Sequence, residues 1–267
     1  MRSIPPFHWW RTVFCLIPAI SVYTILLGVL SIASVLVDRR GRAAHACART
    51  WSWLILATTG VRVHVSGRDL LERTRAYVFV SNHQSIYDIP ILFASLPFQL
   101  RIIAKASLGH FPFLGWHLRW TGHLLVDRGR PNQTTLRRVG DLMHRGHSLM
   151  VFPEGTRSAD GRTSRFKAGI FLLAIEAGLP IVPVAVLRSR YVMMKGRLMT
   201  CPGEVEVVVH PPIETTGLSR DDARRLAEDV RDRIDATVLA RDLGRDMIHA
   251  QNIQQSGRHR ASRGAGL

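Results

Sequence analysis

The chain has 267 residues, 46% of them hydrophobic, and it carries 36 Lys plus Arg against 20 Asp plus Glu, a formal net charge of +16. This length suits one large domain or a domain with an attached segment. The charge predicts a polyanionic partner, but the sequence contains no zinc-finger spacing and no aromatic-interleaved basic module. We therefore expect an anionic membrane surface rather than nucleic acid as the partner. The three cysteines lack paired spacing, and no disulfide framework or metal site is expected.

A long uncharged segment comes first. No charged side chain occurs in residues 12–37, which exceeds the about 20 residues needed to cross a hydrocarbon core. A cleaved signal peptide is the alternative, but the run is too long for one. The sequence leaves open whether this membrane anchor spans the bilayer or lies in one leaflet. Arginines are more frequent after the run than before it, so the rest of the chain is expected on the cytoplasmic face.

A shorter apolar segment follows at residues 51–60, and its length fits an interfacial or re-entrant helix. From Val61 onward, short apolar runs with strand character alternate with helical patterns. This alternation indicates an α/β fold, a mixed sheet flanked by helices, with an N-terminal membrane-anchoring helical segment. The predicted strands are 61–65, 76–80, 101–104, 123–127, 148–153, 181–187 and 205–210, and the predicted helices between them are 90–96, 134–144 and 167–177.

The last predicted helix begins after Ser219 and runs to about Leu239. Ser219 and Asp222 have the spacing of a capping box, and apolar residues recur every fourth position behind them. The final residues are rich in Gly, Ser, Gln and Arg and are expected to be disordered. The predicted organisation is an anchor segment (1–60), an α/β domain (61–250) and a basic tail (251–267).

A histidine and an aspartate follow the second predicted strand. On a continuous helix, His83 and Asp88 would lie about 140° apart around the axis, so they can meet only where the backbone turns. Pro90 suits the first turn of a helix, and the sequence therefore predicts a strand-to-helix junction here. The carboxylate could hold one imidazole nitrogen and leave the other to accept a proton. The alternative is a loop histidine beside a helix-capping aspartate.

A second polar turn, Glu154-Gly155-Thr156-Arg157, follows the strand predicted at 148–153. Glycine permits a positive φ or a close backbone approach. The arginine guanidinium and the threonine hydroxyl suit a phosphate or a carboxylate. In isolation this stretch could be an ordinary polar turn.

Taken together, these stretches resemble those of the lysophosphatidic acid acyltransferases, membrane enzymes that convert 1-acylglycerol 3-phosphate to phosphatidic acid. The resemblance covers about residues 60–215, and the N-terminal anchor also fits. Four blocks in the family's order make it specific. They are the His-x4-Asp box at His83 and Asp88, a second block at Gly122–Arg130 with Arg128 at its basic position, the Glu-Gly-Thr-Arg box at Glu154–Arg157, and the apolar-proline block at Ile181–Ala185.

The resemblance implies transfer of an acyl group from a thioester to the 2-hydroxyl of the acceptor, with His83 as general base and Asp88 fixing its tautomer. No G-x-S-x-G elbow occurs, so transfer without an acyl-enzyme is expected. The expected donor is acyl-coenzyme A or acyl carrier protein, and no cofactor is expected. Glu154 could orient Arg157 or shape the turn. The substrate-binding residues implied are Lys105, Arg128, Glu154, Gly155, Thr156 and Arg157.

Two alternatives remain at this point. The same chemistry could act on glycerol 3-phosphate or on a lyso-aminolipid. A protein of another class could bind anionic lipid through its arginines without catalysis, although such a protein has no need of a base at His83.

Overall fold

Seven strands form one sheet in this computed structural model, which describes residues 6–38, 40–110, 114–126 and 133–243. The mixed α/β fold predicted from the sequence is confirmed. The strands are β1 (Val61–Ser66), β2 (Val78–Ser81), β3 (Leu100–Lys105), β4 (Leu124–Val126), β5 (Ser148–Val151), β6 (Ile181–Leu187) and β7 (Gly203–Val209). The helices are α1 (Phe7–Ser34), α2 (Arg42–Thr59), α3 (Asp88–Ser95), α4 (Leu114–Trp120), α5 (Gln133–His144), α6 (Gly169–Glu176), α7 (Ser189–Val192) and α8 (Ala223–Val238).

The strand order is β1-β7-β6-β2-β5-β3-β4. Neighbouring strands are parallel except β6 and β7, which are antiparallel. Five adjacent strands, β6, β2, β5, β3 and β4, therefore all point the same way. Their carboxyl ends meet at one edge of the sheet, which we call the carboxyl edge, and their starts form the opposite amino edge. Loops that follow these strands are brought together by the topology.

The central strands are buried on both faces. Every residue of β2 and of β6 is buried, and strands in this position need continuous apolar sequence. Val78 and Val80 belong to the core formed with α6 and α8. Tyr77 and Phe79 belong to the core on the other face, which α2 and α3 cover. The sheet thus lies between two helical layers, and the loops that follow its five adjacent parallel strands lie at the carboxyl edge.

Helix α8 confirms the predicted capping box. The Ser219 amide donates to Asp222 Oδ2 at 2.9 Å, and a short 3-10 turn (Arg220–Asp222) leads into the helix. The apolar positions predicted from the periodicity face the sheet and are buried: Leu226, Val230, Ile234 and Val238.

Helix α1 contains the predicted anchor. It is 28 residues long, and its most apolar 18-residue window has a mean hydropathy of 2.4 and is only 6% buried. The stretch Thr12–Leu16 is wound as a π-helix. The helix ends at Ser34, before the uncharged run ends at residue 37. This length and composition suit a membrane-anchoring helix.

The second N-terminal helix corrects a predicted boundary. Helix α2 begins at Arg42, whereas the sequence indicated an interfacial helix only at 51–60. Its first half is rich in alanine, which favours a helix, but the charged residues among the alanines interrupt any apolar run that a sequence pattern could detect. The helix packs on α1, where Trp51 Nε1 donates to Thr24 Oγ1 at 2.8 Å. The segment is therefore half of a helical hairpin. The predicted tail, 251–267, lies outside the described residues.

Candidate active site

Two loops meet at the carboxyl edge. The loop after β2 carries His83, and the loop after β5 carries Glu154–Arg157. These strands are parallel neighbours, with Val80 paired to Val151 near their ends. The two sequence stretches therefore emerge side by side. Lys105 is the last residue of β3, so its backbone also lies at this edge. Arg128 lies outside the described residues.

His83 and Asp88 form a hydrogen-bonded pair. Imidazole Nδ1 lies 2.8 Å from Asp88 Oδ2, and the Asp88 side chain is fully buried while that of His83 is 16% exposed. The same carboxylate oxygen accepts the backbone N–H groups of Gln84 and Ser85 at 2.7 and 2.9 Å. An ionised carboxylate accepts from Nδ1–H, which leaves the Nε2 lone pair free to take a proton. Asp88 begins helix α3, but its carboxylate turns back to the loop before the helix.

The backbone of His83 is held on both sides by the neighbouring loop. Its N–H donates to Glu154 Oε1 at 2.7 Å, and its carbonyl accepts the N–H of Ser158 at 2.7 Å. The ring stacks on Phe152, with centroids 4.1 Å apart and planes at 20°. The position and tilt of the imidazole are thus set by the second loop as well as by Asp88.

Glu154 connects the loops. Its carboxylate is buried, and Oε2 accepts the N–H of Ser164 at 2.9 Å while Oε1 accepts that of His83. Burial raises the pKa of Glu154, and the hydrogen bonds from Ser164 and His83 oppose that rise. Of the two roles considered from the sequence, the observed bonds fit shaping the loops. No hydrogen bond between Glu154 and Arg157 occurs within the described ranges.

The residues after Glu154 form a tight turn. Gly155 has φ +79°, a conformation that glycine adopts without strain, and its N–H donates to the Phe152 carbonyl at 3.1 Å. Lys195 Nζ donates to the carbonyl of Arg157 at 2.8 Å and lies 3.3 Å from Thr156 Oγ1. The Arg157 side chain is half-buried. In the part of the chain described, its guanidinium makes no hydrogen bond or ion pair, so it can bind a ligand.

Sequence reasoning missed several residues that build this edge. The Asn82 amide bridges to β6, donating to the Val186 carbonyl and accepting the Val186 N–H, both at 2.8 Å. Gln84 Nε2 donates to the Gly161 carbonyl at 2.9 Å. Asn82 and Gln84 flank His83 in the chain, so adjacency was an available signal. Lys195 is distant in sequence, and no signal pointed to it.

The comparisons with known proteins agree with this geometry. A family model described as Acyltransferase matches residues 62–187. A 1-acyl-sn-glycerol-3-phosphate acyltransferase of Saccharomyces cerevisiae is 31% identical over 215 residues, which span 79% of this chain and 71% of the yeast protein. The chain belongs to the 1-acyl-sn-glycerol-3-phosphate acyltransferase family. A chloroplastic member from Brassica napus is 34% identical over 227 residues, 80% of this chain.

A solved structure of the family has the same fold. The 1-acyl-sn-glycerophosphate acyltransferase PlsC from Thermotoga maritima superposes with a TM-score of 0.66 at 26% identity, covering 84% of this chain and 96% of that one. The alignment to the Brassica napus member spans only 65% of that protein's length. The family model begins in β1 and ends with β6, so it includes both loops of the carboxyl edge.

Proposed function

We propose that this protein transfers a fatty acyl group from a thioester to the 2-hydroxyl of 1-acylglycerol 3-phosphate, giving phosphatidic acid. The observation that carries the proposal is the His83–Asp88 pair, whose Nδ1–Oδ2 distance is 2.8 Å. It lies at the edge of the sheet where parallel α/β folds place their ligands. Membership of the acyltransferase family supports the same activity.

In the proposed reaction, Nε2 of His83 removes the proton of the acceptor hydroxyl. The hydroxyl oxygen bonds to the thioester carbonyl carbon, the carbon–sulfur bond breaks, and the leaving thiolate takes up the proton. Asp88 holds Nδ1–H and stabilises the imidazolium while it exists. General-base assistance of this kind contributes about 10²- to 10⁴-fold to the rate.

The acceptor phosphate is assigned to the basic groups of the same edge. Arg157 has a free guanidinium among the described residues, and Lys195 lies against the same turn. The family resemblance adds Lys105 and Arg128. A bidentate arginine contact fixes the phosphate in orientation and would place the adjacent hydroxyl at His83. Gly155 and Thr156 would shape the turn that presents Arg157.

The membrane attachment is assigned to α1, with the α/β domain on the cytoplasmic face. The exposed face of α1 is apolar and includes Ile25 and Val29, which are 65% and 62% exposed. Since the acceptor and the product both reside in the bilayer, a membrane-attached site meets them directly. The dispersed arginines would add attraction to anionic headgroups.

The membrane assignment is tested by the double variant Ile25→Glu/Val29→Glu. Charges on this face should release the protein from the membrane pellet during fractionation, because each costs roughly 2–3 kcal/mol in hydrocarbon. Leu70→Glu, at an exposed position of the α/β domain, is the matched control and should remain in the pellet. A double variant that pellets like the wild type would place the attachment elsewhere.

The activity is tested with a radiolabelled acyl thioester and three acceptors. Lysophosphatidic acid should be acylated, whereas glycerol 3-phosphate and a phosphate-free lyso-aminolipid should react at least about tenfold more slowly, because one charge-assisted contact is missing or misplaced. Faster reaction with either of the other acceptors would reassign the substrate. Anionic-lipid binding without any acyl transfer would identify a binding protein instead.

A further inference from the structure

A cavity lies along the edge strand β4. It has a volume of about 660 Å³ and is open on one side. It extends from Ala106, directly after the carboxyl end of β3, to Gly122 at the amino end of β4, with helix α5 forming one wall. It therefore begins at the carboxyl edge but does not include His83 or Arg157. We call it the β4 cavity.

The described lining of the β4 cavity is strongly basic. It includes Arg119, Arg138 and Arg145 together with two histidines, against one carboxylate, Asp141. All three arginine side chains are exposed to solvent. Guanidinium groups gathered on one concave surface match the oxygen geometry of phosphates.

His123 adds a donor without adding charge. Its Nδ1 accepts the backbone N–H of Ile102 at 2.9 Å, so the neutral ring carries its proton on Nε2. Burial and the nearby Arg101 lower the pKa of His123 well below its ordinary value, which keeps the ring neutral. This residue lines the cavity, and Nε2–H is the remaining donor of its ring.

A buried cation, Arg101, lies behind Gly122 in the cavity lining. Arg101 is 3% exposed, and its Nε has no hydrogen-bond partner. No carboxylate of the described chain lies within salt-bridge distance of it. A side chain built on Gly122 would place its Cβ 3.5 Å from Arg101 Nε, so this cavity-lining glycine lies directly against the Arg101 side chain. Burial of this charge is unfavourable, and an anion in the cavity would add to the attraction from Asp38 and reduce that cost.

We propose that the β4 cavity binds the phosphate groups at the nucleotide end of a coenzyme A thioester, the acyl donor of the proposed reaction. The inference rests on that proposed function. The nucleotide end carries several phosphates, which match several guanidinium groups, and a concave cavity suits a small molecule better than the convex surface of a carrier protein. The acceptor phosphate has its own basic group at Arg157. The long pantetheine arm would connect the cavity to the carboxyl edge.

The test compares two adjacent arginines of α5. Arg138 lines the cavity and Arg137 does not, although both are exposed. Arg138→Gln and Arg137→Gln therefore remove the same charge from the same helix. Binding of adenosine 3′,5′-bisphosphate, a fragment of coenzyme A, is measured by calorimetry at about 0.15 M salt, where diffuse charge effects are screened beyond about 8 Å. Glycerol 3-phosphate serves as the acceptor fragment.

Arg138→Gln should weaken binding of the bisphosphate about tenfold or more, whereas Arg137→Gln should leave it within about twofold. In the activity assay, Arg138→Gln should raise KM for acyl-coenzyme A by a similar factor, with kcat and the KM for lysophosphatidic acid unchanged.

Four results would overturn the inference. They are no binding of the bisphosphate, equal weakening by both variants, equal binding of glycerol 3-phosphate in the cavity, or a raised KM for acyl carrier protein with that for acyl-coenzyme A unaffected. The binding measurement does not require turnover. If acyl transfer is absent but the bisphosphate binds through Arg138, the proposed function fails and the site stands. If transfer occurs without bisphosphate binding, the proposed function stands and the assignment of the cavity fails.

Discussion

Both edges of the sheet contain largely buried histidines, but the charged group beside them differs between the two edges. At the carboxyl edge, His83 is held by the buried carboxylate of Asp88. At the amino edge, His45 and His147 are buried near Arg101 without a hydrogen-bonded carboxylate in the described chain. Burial and the charge of Arg101 lower the pKa of both to about 4.

Under the proposed function, this difference separates the proton acceptor, His83, from a packing residue, His147. Protonation of His83 creates a charge that Asp88 directly stabilises, whereas protonation of His147 would add a charge beside Arg101 in a buried site. Burial beside Arg101 therefore makes the imidazoles of His45 and His147 weak proton acceptors near neutral pH. At His83, the Asp88 carboxylate instead fixes Nδ1 as the donor and leaves Nε2 as the acceptor.

The largest expected effect is on the base itself. His83→Ala should reduce kcat by about 10²- to 10⁴-fold, because no other group takes the hydroxyl proton. His147→Gln, the matched change at the amino edge, should keep acyl transfer close to wild type. Initial rates at saturating substrates, together with melting curves, measure both. A His83→Ala variant that retains more than about a tenth of the activity would remove the general-base role.

Asp88→Asn should be the next most damaging change. The amide keeps the shape but cannot stabilise the imidazolium, and its oxygen still has to accept from Gln84 and Ser85. We expect a loss of about 10²-fold or more in kcat. Melting curves and KM values distinguish this from simple misfolding, because a folded Asp88→Asn variant should lose kcat while its Tm and the KM values of both substrates stay close to wild type. A kcat that falls only in step with a lowered Tm would mean that Asp88 is only structural.

Acid should destabilise the amino edge. The folded-state pKa of His45 and His147 is about 4, below the ordinary value of 6.5. Well above pH 6.5 neither state binds the protons, so stability is unaffected. As the pH falls from about 6.5 to about 4, the unfolded state binds protons that the folded state does not bind. The free energy of unfolding therefore falls by about 2–4 kcal/mol per histidine.

Melting curves at pH 7 and pH 4.5 measure this loss. The His147→Gln variant should lose less stability than the wild type over the same interval. An identical loss in both proteins would assign the acid sensitivity to other groups.

The two arginines of the two edges should respond differently to the same substitution. Arg157→Lys keeps the charge but loses the planar fork, so kcat/KM for lysophosphatidic acid should fall by about ten- to a hundredfold, with the donor KM unchanged. Arg101→Lys loses the buried bond to the Leu100 carbonyl and should instead lower Tm with acceptor KM unaffected. If Arg157→Lys lowers Tm and raises both KM values, Arg157 braces the turn.

The sequence by itself determined the strands of the sheet and the candidate pair His83 and Asp88. Continuous apolar strands such as β2 and β6 are recognisable because burial on both faces demands them. The pairing of His83 with Asp88 was predictable because the two are close in sequence and a short turn brings them together. The capping box of α8 was equally local.

Only the tertiary structure decided which residues distant in sequence contact His83 and Arg157. The bond from Glu154 to the backbone of His83 joins loops 71 residues apart in the chain, and Lys195 reaches the Arg157 carbonyl from 38 residues away. The start of α2 and the burial of Arg101 beside Gly122 also depend on packing between separate elements. Local patterns carry no information on such contacts, because strand order and loop geometry determine them.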